Sequence, residues 1–400
     1  MRKGINNNKL NKYIIMTKTL VIILGETRAS ELTFDNFKKN VIDELQADLC
    51  LCIGVKPTYD YDNPFYKLAK YKFLYNEPDD FGDAFEYANS IISQNKPKYE
   101  CLRNINALYG KLQNPQQSTK NITYYGNNEN IINVEHFTDD EVIIHTKDFY
   151  NDLWKNQVYG IKNSENNNLV NQQNVITYKK KLHWREFLKI KDQIFGGIKD
   201  PVNQHTGSGG ILIFFRWFLL KSLVDNDLIN NYDRFVITRS DFIYQLPHPK
   251  VEYMNENCIW IPDCEYYGGY TDRHAVLSKT NIEPYLNILN NLILKSNEYF
   301  IKMTNKNHTW WNLEQIILLN LEQNNVLSLV KEFPYIMYAV RNINGTTRWE
   351  EGTYANSLGY YIKYTTEYNK SMYYKNVFEK SGITIDEFYK EYICIKKNTI

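Results

Sequence analysis

Apolar runs alternate with helical spacing of apolar residues near the start of the chain. Leu20–Leu24 is uninterrupted and ends at Gly25, which predicts a buried strand leading into a loop. Apolar residues then recur at helical spacing over Phe34–Leu45, and Thr33 is placed to cap that helix. Leu49–Val55 is a second apolar run. Strand, helix and strand within about 35 residues predict a βαβ unit, and therefore a parallel sheet with helices on its faces.

The same two patterns continue along the chain. Short apolar runs at Phe235–Thr238 and Ile259–Ile261 predict further strands. Gly207–Gly210 follows no clear strand, so it is interpreted as a helix start with Ser208 as the cap rather than as a dinucleotide-binding loop. Helical spacing predicts helices at Asp83–Ile92, Trp184–Ile194, Ile211–Val224, Ile282–Leu294 and Leu313–Leu321.

Polarity divides the chain into parts. Residues 1–18 precede the ordered pattern and are predicted to be a flexible leader. Residues 19–330 carry the strand and helix pattern and are predicted to form one α/β domain. Within it, residues from about 110 to 180 are polar and rich in Asn and Gln, as in a surface insertion. The Tyr-rich residues 331–400 are predicted to be a C-terminal extension packed on the domain.

Composition excludes some classes of function. The chain is 43% hydrophobic and 23% charged, which is typical of a globular domain. Its 47 basic and 46 acidic residues leave no basic excess, so we expect no nucleic-acid partner. No run reaches the ~18 apolar residues that span a bilayer, so we expect no transmembrane segment. The cysteines form no CxxC pair; Cys50 and Cys52 should share one face of a strand, and a reducing, cytoplasmic location is predicted.

The most informative stretch follows the predicted strand Phe235–Thr238. Arg239 and Asp241 come at its carboxyl end, which is where open α/β sheets bind ligands. A carboxylate there can hold a divalent ion that bridges a diphosphate, and an arginine can neutralise phosphate. The alternative is an aspartate that begins a turn, with the arginine in a surface ion pair.

A second stretch combines two glycines with an acid and a base. Gly268 and Gly269 permit close approach of the backbone to a ligand, and Asp272 and Arg273 follow shortly after. Asp272 could take a proton from an acceptor hydroxyl. A tight turn whose charges pair with neighbours is the alternative.

Two weaker stretches complete the set. Glu314 lies in the first turn of a predicted helix, directly after Trp310 and Trp311, whose rings could stack on an acceptor sugar. Helix capping alone also explains a glutamate there. Gly25 and Arg28 end the first strand, so Arg28 should face the ligand crevice or else lie exposed without function.

The sequence lacks several familiar catalytic and nucleotide-binding motifs. There is no Walker loop, no HExxH pair and no GxSxG elbow.

In combination, the four stretches resemble glycosyltransferases of the GT-A type, known from bacterial glycan gene clusters and large DNA viruses. Those proteins have a strand ending in Gly-x-x-Arg, a strand of the form Tyr-Asp-x-x-x-x-x-Arg-x-Asp, a Gly-Gly-x-x-Asp-Arg loop and a helix with a glutamate. The resemblance covers about residues 20–324. The matching residues are Gly25, Arg28, Tyr232, Asp233, Arg239, Asp241, Gly268, Gly269, Asp272, Arg273 and Glu314.

The resemblance implies a Rossmann-like, mainly parallel sheet flanked by helices, and transfer of a sugar from a nucleoside-diphosphate donor such as a UDP-sugar to a hydroxyl of a glycan or glycoprotein. It implies Asp272 as the catalytic base of an inverting reaction, with Glu314 as second choice, and acceptor binding by Trp310 and Trp311. Retention would need no such base. The donor-binding residues implied are Gly25, Arg28, Arg239, Asp241, Gly268, Gly269 and Arg273.

Metal chemistry is where the chain departs from that pattern. Many GT-A enzymes bind Mn²⁺ or Mg²⁺ through Asp-x-Asp, whereas here Arg239 occupies the first position. Asp241 remains as a ligand, with His308 as a conceivable second. Asp241→Asn is expected to abolish donor hydrolysis and to leave the thermal transition almost unmoved. A nucleotidyl- or phosphosugar transferase and a non-catalytic viral scaffold are the alternative functions.

Overall fold

A computed structural model describes most of the chain. The described residues are 17–94, 182–190, 193–306, 311–343 and 351–395, together with strands between residues 112 and 178.

The described residues form strands of two to eight residues. They are β1 (Thr19–Gly25), β2 (Asp48–Val55), β3 (Tyr71–Asn76), β4 (Leu112–Gln113), β5 (Asn121–Tyr125), β6 (Ile131–Thr138), β7 (Glu141–Thr146), β8 (Ile161–Asn163), β9 (Ile176–Tyr178), β10 (Arg234–Thr238), β11 (Phe242–Tyr244), β12 (Ile259–Pro262), β13 (Ala275–Ser278), β14 (Val330–Phe333), β15 (Met337–Arg341), β16 (Thr353–Ala355) and β17 (Tyr360–Ile362).

Helices connect and cover these strands. They are α1 (Ser30–Phe37, continued by a π-helical turn over Lys38–Asp43), α2 (Pro64–Leu68), α3 (Phe81–Gln94), α4 (Gly209–Asp225), α5 (Leu228–Asn231), α6 (Ile282–Leu286), α7 (Ile288–Leu294), α8 (Ser296–Asn305), α9 (Leu313–Gln323), α10 (Thr365–Ser381) and α11 (Ile385–Ile395). Trp184–Lys189 is a short 3₁₀ helix, where the spacing predicted a helix to Ile194.

A seven-stranded sheet organises the described residues, in the order β14-β12-β13-β10-β1-β2-β3. Neighbours from β10 to β3 pair in parallel, as do β12 and β14, while β13 runs antiparallel to both β10 and β12. The prediction of a mixed, mainly parallel sheet with flanking helices is confirmed. The βαβ unit is also confirmed, because β1 and β2 pair in parallel.

Alternation along the strands creates a core on each face of the sheet. In β1, Leu20 and Ile22 lie on the face covered by α3, α4 and α7, while Val21 and Ile23 lie on the opposite face. Cys50 and Cys52 share the first of these faces, as predicted, and both are free thiols. Both faces of the sheet are therefore buried, which explains why its strands are almost continuously apolar.

The first helix begins earlier than the sequence indicates. Ala29 is its N-cap residue, so the prediction that Thr33 caps the helix is wrong. The Thr33 hydroxyl lies inside the helix and donates to the carbonyl oxygens of Ala29 at 2.9 Å and Ser240 at 2.7 Å. Thr33 therefore ties α1 to the loop that follows β10. Ser208 does occupy the N-cap position of α4, without a side-chain capping bond.

The segment after residue 330 contributes to the same body. β14 forms one edge of the central sheet, and β15 and β17 join β11 in a second sheet of order β11-β15-β17-β16. Tyr374 of α10 and Phe388 of α11 are buried in the same core as Val21, on that face of the central sheet. Strands between residues 112 and 178 form a separate antiparallel sheet of order β4-β5-β6-β7-β9-β8, within the predicted insertion.

Candidate active site

The carboxyl ends of β1 and β10 lie side by side. Their parallel register places Ile23 opposite Thr238, so the loops that carry Arg28 and Arg239 leave the sheet together. Ser240 joins the two loops, because its hydroxyl accepts from the Arg28 amide at 2.8 Å and donates to the Glu26 carbonyl at 3.0 Å. Two predicted stretches that are far apart in the chain thus meet at one edge of the sheet.

A cavity of about 390 Å³ opens at this edge. Loops from the sheet line one side of it, and the N-terminal ends of α4 and α9 line the other. Seven of the predicted site residues lie in its wall: Gly25, Arg28, Arg239, Asp241, Asp272, Arg273 and Glu314.

One end of the cavity is built around a buried carboxylate. Asp241 is only 2% exposed. Its oxygens accept two bonds from the Arg239 guanidinium, both at 2.8 Å, and a third from Nη1 of Arg341. Burial opposes the negative charge of Asp241, but Arg239 and Arg341 outweigh it and hold the pKa of Asp241 well below its ordinary value.

Positive charge exceeds negative charge at this end. Arg28 pairs with Glu26 at the cavity mouth, where its Nε donates at 2.6 Å. Lys363, which follows β17, also lines the cavity and is 7% exposed. Burial, together with the nearby charges of Arg341 and Arg239, lowers the pKa of Lys363 to about 7. We call this group the cationic end; its residues are Arg28, Arg239, Arg341 and Lys363, grouped around Asp241.

Arg341 and Lys363 belong to the segment after residue 330, outside every motif noted in the sequence. The sequence marks these two residues only by their position at the ends of buried strands. A single arginine ends the apolar run Met337–Arg341, and a single lysine follows Tyr360–Ile362. Nε and Nη2 of Arg341 are buried without a hydrogen-bond partner.

Two acidic residues, Asp272 and Glu314, also line the cavity. Glu314 lies in the first turn of α9, between the capping-box residues Asn312 and Gln315. A helix N-terminus favours an ionised carboxylate. Burial and the negative charge of Asp272 nevertheless raise the pKa of Glu314 to about 8. Asp272 and Glu314 therefore form a neighbouring pair, the acidic end, in which Glu314 is protonated at neutral pH.

A buried arginine lies beneath the acidic end. Arg216 of α4 is fully buried, its Nη2 donates to the carbonyl oxygen of Asp272 at 3.0 Å, and its guanidinium lies 4.9 Å from the ring centre of Tyr285. Its Nε and Nη1 have no hydrogen-bond partner. The sequence gives one sign of this residue, a single charge inside the apolar run of α4.

The guanidinium of Arg273 is engaged in ion pairs and not directed to a donor-binding role. It lines the cavity, but its Nη1 lies 2.6 Å from a carboxylate oxygen of Glu265 and 2.7 Å from one of Glu367. The Tyr364 ring centre is 4.1 Å from the guanidinium carbon. Both carboxylates are buried, so the charge of Arg273 is already neutralised. It anchors the Asp272 loop to α10.

The two glycines of the predicted donor loop have a structural reason. Neither Gly268 nor Gly269 is among the residues that line the cavity. A Cβ on Gly269 would overlap the carbonyl oxygen of Glu314, and the Tyr270 amide donates to that oxygen at 3.1 Å. Gly269 therefore permits close packing of this loop on the start of α9, and Gly268 has a φ of 82° that favours glycine, which corrects their predicted role in donor binding.

The predicted acceptor platform is also corrected. Trp311 is 2% exposed and packs in the core, so its ring offers no face to a sugar. Trp310 and the candidate metal ligand His308 lie outside the described residues. Tyr267, which is not among the predicted site residues, lines the cavity together with Glu314 and is 45% exposed.

A chain of buried hydrogen bonds fixes the floor of the cavity at Thr238. His248 Nδ1 lies 2.7 Å from the Pro249 carbonyl and must donate to it, so its Nε2 accepts from His274 Nε2 at 3.1 Å. His274 Nδ1 then accepts from the Thr238 hydroxyl at 3.0 Å. Burial lowers the pKa of His248 to about 4, which keeps this arrangement neutral.

The described residues contain no cluster of three or more His, Cys, Asp or Glu side chains able to hold a metal ion. A cation bound to Asp241 would face the guanidinium groups of Arg239 and Arg341, which already occupy the carboxylate.

No protein-family model, curated protein or solved structure matches the chain. Among the described residues, no helix combines the length and the apolar character needed to cross a membrane.

Proposed function

We propose that the chain is a GT-A-like glycosyltransferase, which moves a sugar from a nucleoside-diphosphate donor to a hydroxyl of a glycan or glycoprotein. One observation carries the proposal: a single cavity at the carboxyl edge of a mainly parallel sheet has a cationic end and an acidic end. Such an edge is where α/β sheets bind nucleotides. The two ends match the two needs of the reaction, a stabilised leaving group and a proton acceptor.

The cationic end suits the leaving diphosphate. As the bond between the anomeric carbon and the diphosphate oxygen breaks, negative charge develops on that oxygen. Arg28, Arg239 and Lys363 line the cavity where that charge would form. Fixed cationic donors stabilise such a transition state by electrostatic preorganisation.

The acidic end suits the acceptor. In an inverting reaction the acceptor oxygen bonds to the anomeric carbon and its proton passes to a base, which we assign to Asp272. Glu314, protonated at neutral pH, would donate a hydrogen bond to a sugar hydroxyl. Tyr267 replaces the tryptophans as the aromatic surface for a sugar ring, because it is exposed in the same wall.

The experiment is a thermal-shift screen of nucleoside diphosphates and their sugars, followed by an assay for release of free nucleoside diphosphate. We expect a hit to raise the melting temperature by mass action and to be turned over. Asp272→Asn should bind the hit but lose turnover. Asp233→Asn, at the opposite end of β10 and half-exposed, is the matched control and should turn over normally.

Other outcomes separate the rival functions. Turnover without free nucleoside diphosphate would indicate a nucleotidyl- or phosphosugar transferase. Absence of both binding and turnover across the panel would contradict the proposal and favour a non-catalytic scaffold.

A further inference from the structure

We infer that the donor diphosphate is neutralised by the guanidinium groups of Arg28 and Arg239 and the ammonium group of Lys363, without a divalent cation. This inference rests on the proposed function and deepens it. It departs from the metal-bridged diphosphate that the GT-A resemblance implies.

The chemistry of the donor set at the cationic end is the first argument. Asp241 supplies the carboxylate that the resemblance assigns to a metal. Its oxygens accept three hydrogen bonds from Arg239 and Arg341, and the residue is almost fully buried. A divalent cation would have to displace a bidentate guanidinium and to lie against a second one, which costs both hydrogen bonds and like-charge repulsion.

Charge balance is the second argument. The three arginines of the cationic end face the two carboxylates of Glu26 and Asp241, which leaves an excess of one positive charge, and Lys363 adds positive charge when it is protonated. The diphosphate of a nucleotide sugar carries two negative charges, so its charge is opposite to that of this end and can be offset there without a metal ion. A divalent cation bound together with the diphosphate would leave the cationic end with uncompensated positive charge.

The source of the charges is the third argument. Arg341 and Lys363 approach Asp241 from two neighbouring strands, β15 and β17, which pair through Val340 and Ile362. Arg341 holds the carboxylate from the buried side, and Lys363 lines the cavity. Lys363 would then supply one of the three cations that bind the diphosphate, and Arg341 would hold Asp241 in place, so the C-terminal segment would be part of the catalytic unit.

The test is isothermal titration calorimetry of the full chain with inorganic pyrophosphate, once in EDTA and once with Mn²⁺. We expect binding in EDTA with an affinity within about threefold of that in Mn²⁺. Lys363→Met should weaken binding about tenfold or more, because it removes a charge-assisted bond, whereas Lys363→Arg should stay within about threefold of wild type. Lys279→Met, a half-exposed lysine that pairs with Asp233 at the far end of β10, is the control and should bind as wild type does.

Each remaining outcome decides the matter. Binding that requires Mn²⁺, or equal affinity in Lys363→Met and wild type, would overturn the inference. Thermal transitions of both Lys363 variants show whether each is folded, and the EDTA comparison needs no variant at all. Sugar-nucleotide turnover that depends on Mn²⁺ would overturn the inference and leave the proposed function standing. Pyrophosphate binding in EDTA without any turnover would do the reverse.

Discussion

Replacing Glu314 by glutamine should change the pH dependence of stability. Glu314 is 9% exposed and lies beside Asp272 in the first turn of α9. Burial and the neighbouring negative charge raise its pKa from 4.5 to about 8. Glutamine has nearly the same shape and stays neutral, so Glu314→Gln removes the titration and little else.

The sign and size of this pH dependence follow from the linkage between protonation and folding. The unfolded chain ionises Glu314 near its ordinary pKa of 4.5, and the folded chain ionises it near 8. The stabilising contribution of the protonated side chain is complete below the lower value and is lost as the pH rises to the upper one. Over that window the free energy of unfolding of the wild type falls, relative to Glu314→Gln, by about 1.4 kcal/mol per pH unit.

The assay is urea unfolding of both proteins at several pH values. Between about pH 5.5 and pH 7.5, the free energy of Glu314→Gln minus that of the wild type should rise by about 2 to 3 kcal/mol, and it should level off above about pH 8. Glu322→Gln, near the exposed end of the same helix, is the control and should show a change within about 0.5 kcal/mol. A difference for Glu314→Gln that is independent of pH would refute the reasoning.

Three further substitutions test other parts of the site. Asp241→Asn leaves the partly exposed guanidinium of Arg239 and the buried guanidinium of Arg341 without their ionised partner, so it should lower the free energy of unfolding by about 3 to 5 kcal/mol in urea titrations; an unmoved transition, as the sequence alone predicts, would contradict the ion-pair account. Arg216→Met should lower kcat by about tenfold to a hundredfold, because it releases the backbone of Asp272. Arg234 is also buried and donates to the Met254 carbonyl, so Arg234→Met is the control and should retain kcat. Equal losses of kcat in the two variants would indicate a general packing effect. Gly269→Ala should cost about 1 to 3 kcal/mol in the same urea assay, and wild-type stability would show that the loop packs less closely on α9.

The sheet could be predicted because its signals are local. Leu20–Leu24 and Phe235–Thr238 are apolar runs with a ligand-type residue at the carboxyl end, and parallel strands bring such ends to one edge. The antiparallel strand β13 carries no local sign of its direction, since a buried strand of either direction has the same apolar composition.

The charged partners at the site could not be predicted because they depend on tertiary contacts. Asp241 and Arg341 are a hundred residues apart, and only the pairing of β11 with β15 brings them together. The residue type of Trp311 suits sugar stacking, but residue type does not reveal that its side chain is buried in the core. The sequence likewise does not reveal that the missing side chain of Gly269 makes room for the backbone of α9 and not for a ligand.

The central claim is that the cationic end holds the diphosphate of a nucleotide donor. The most direct measurement is a crystal structure of the chain with the nucleoside diphosphate that the thermal-shift screen selects. We expect diphosphate oxygens within hydrogen-bond distance of Arg28, Arg239 and Lys363, with the Asp241 ion pairs intact. A diphosphate bound elsewhere, or one bridged to Asp241 by a metal ion after the arginines have moved away, would contradict it.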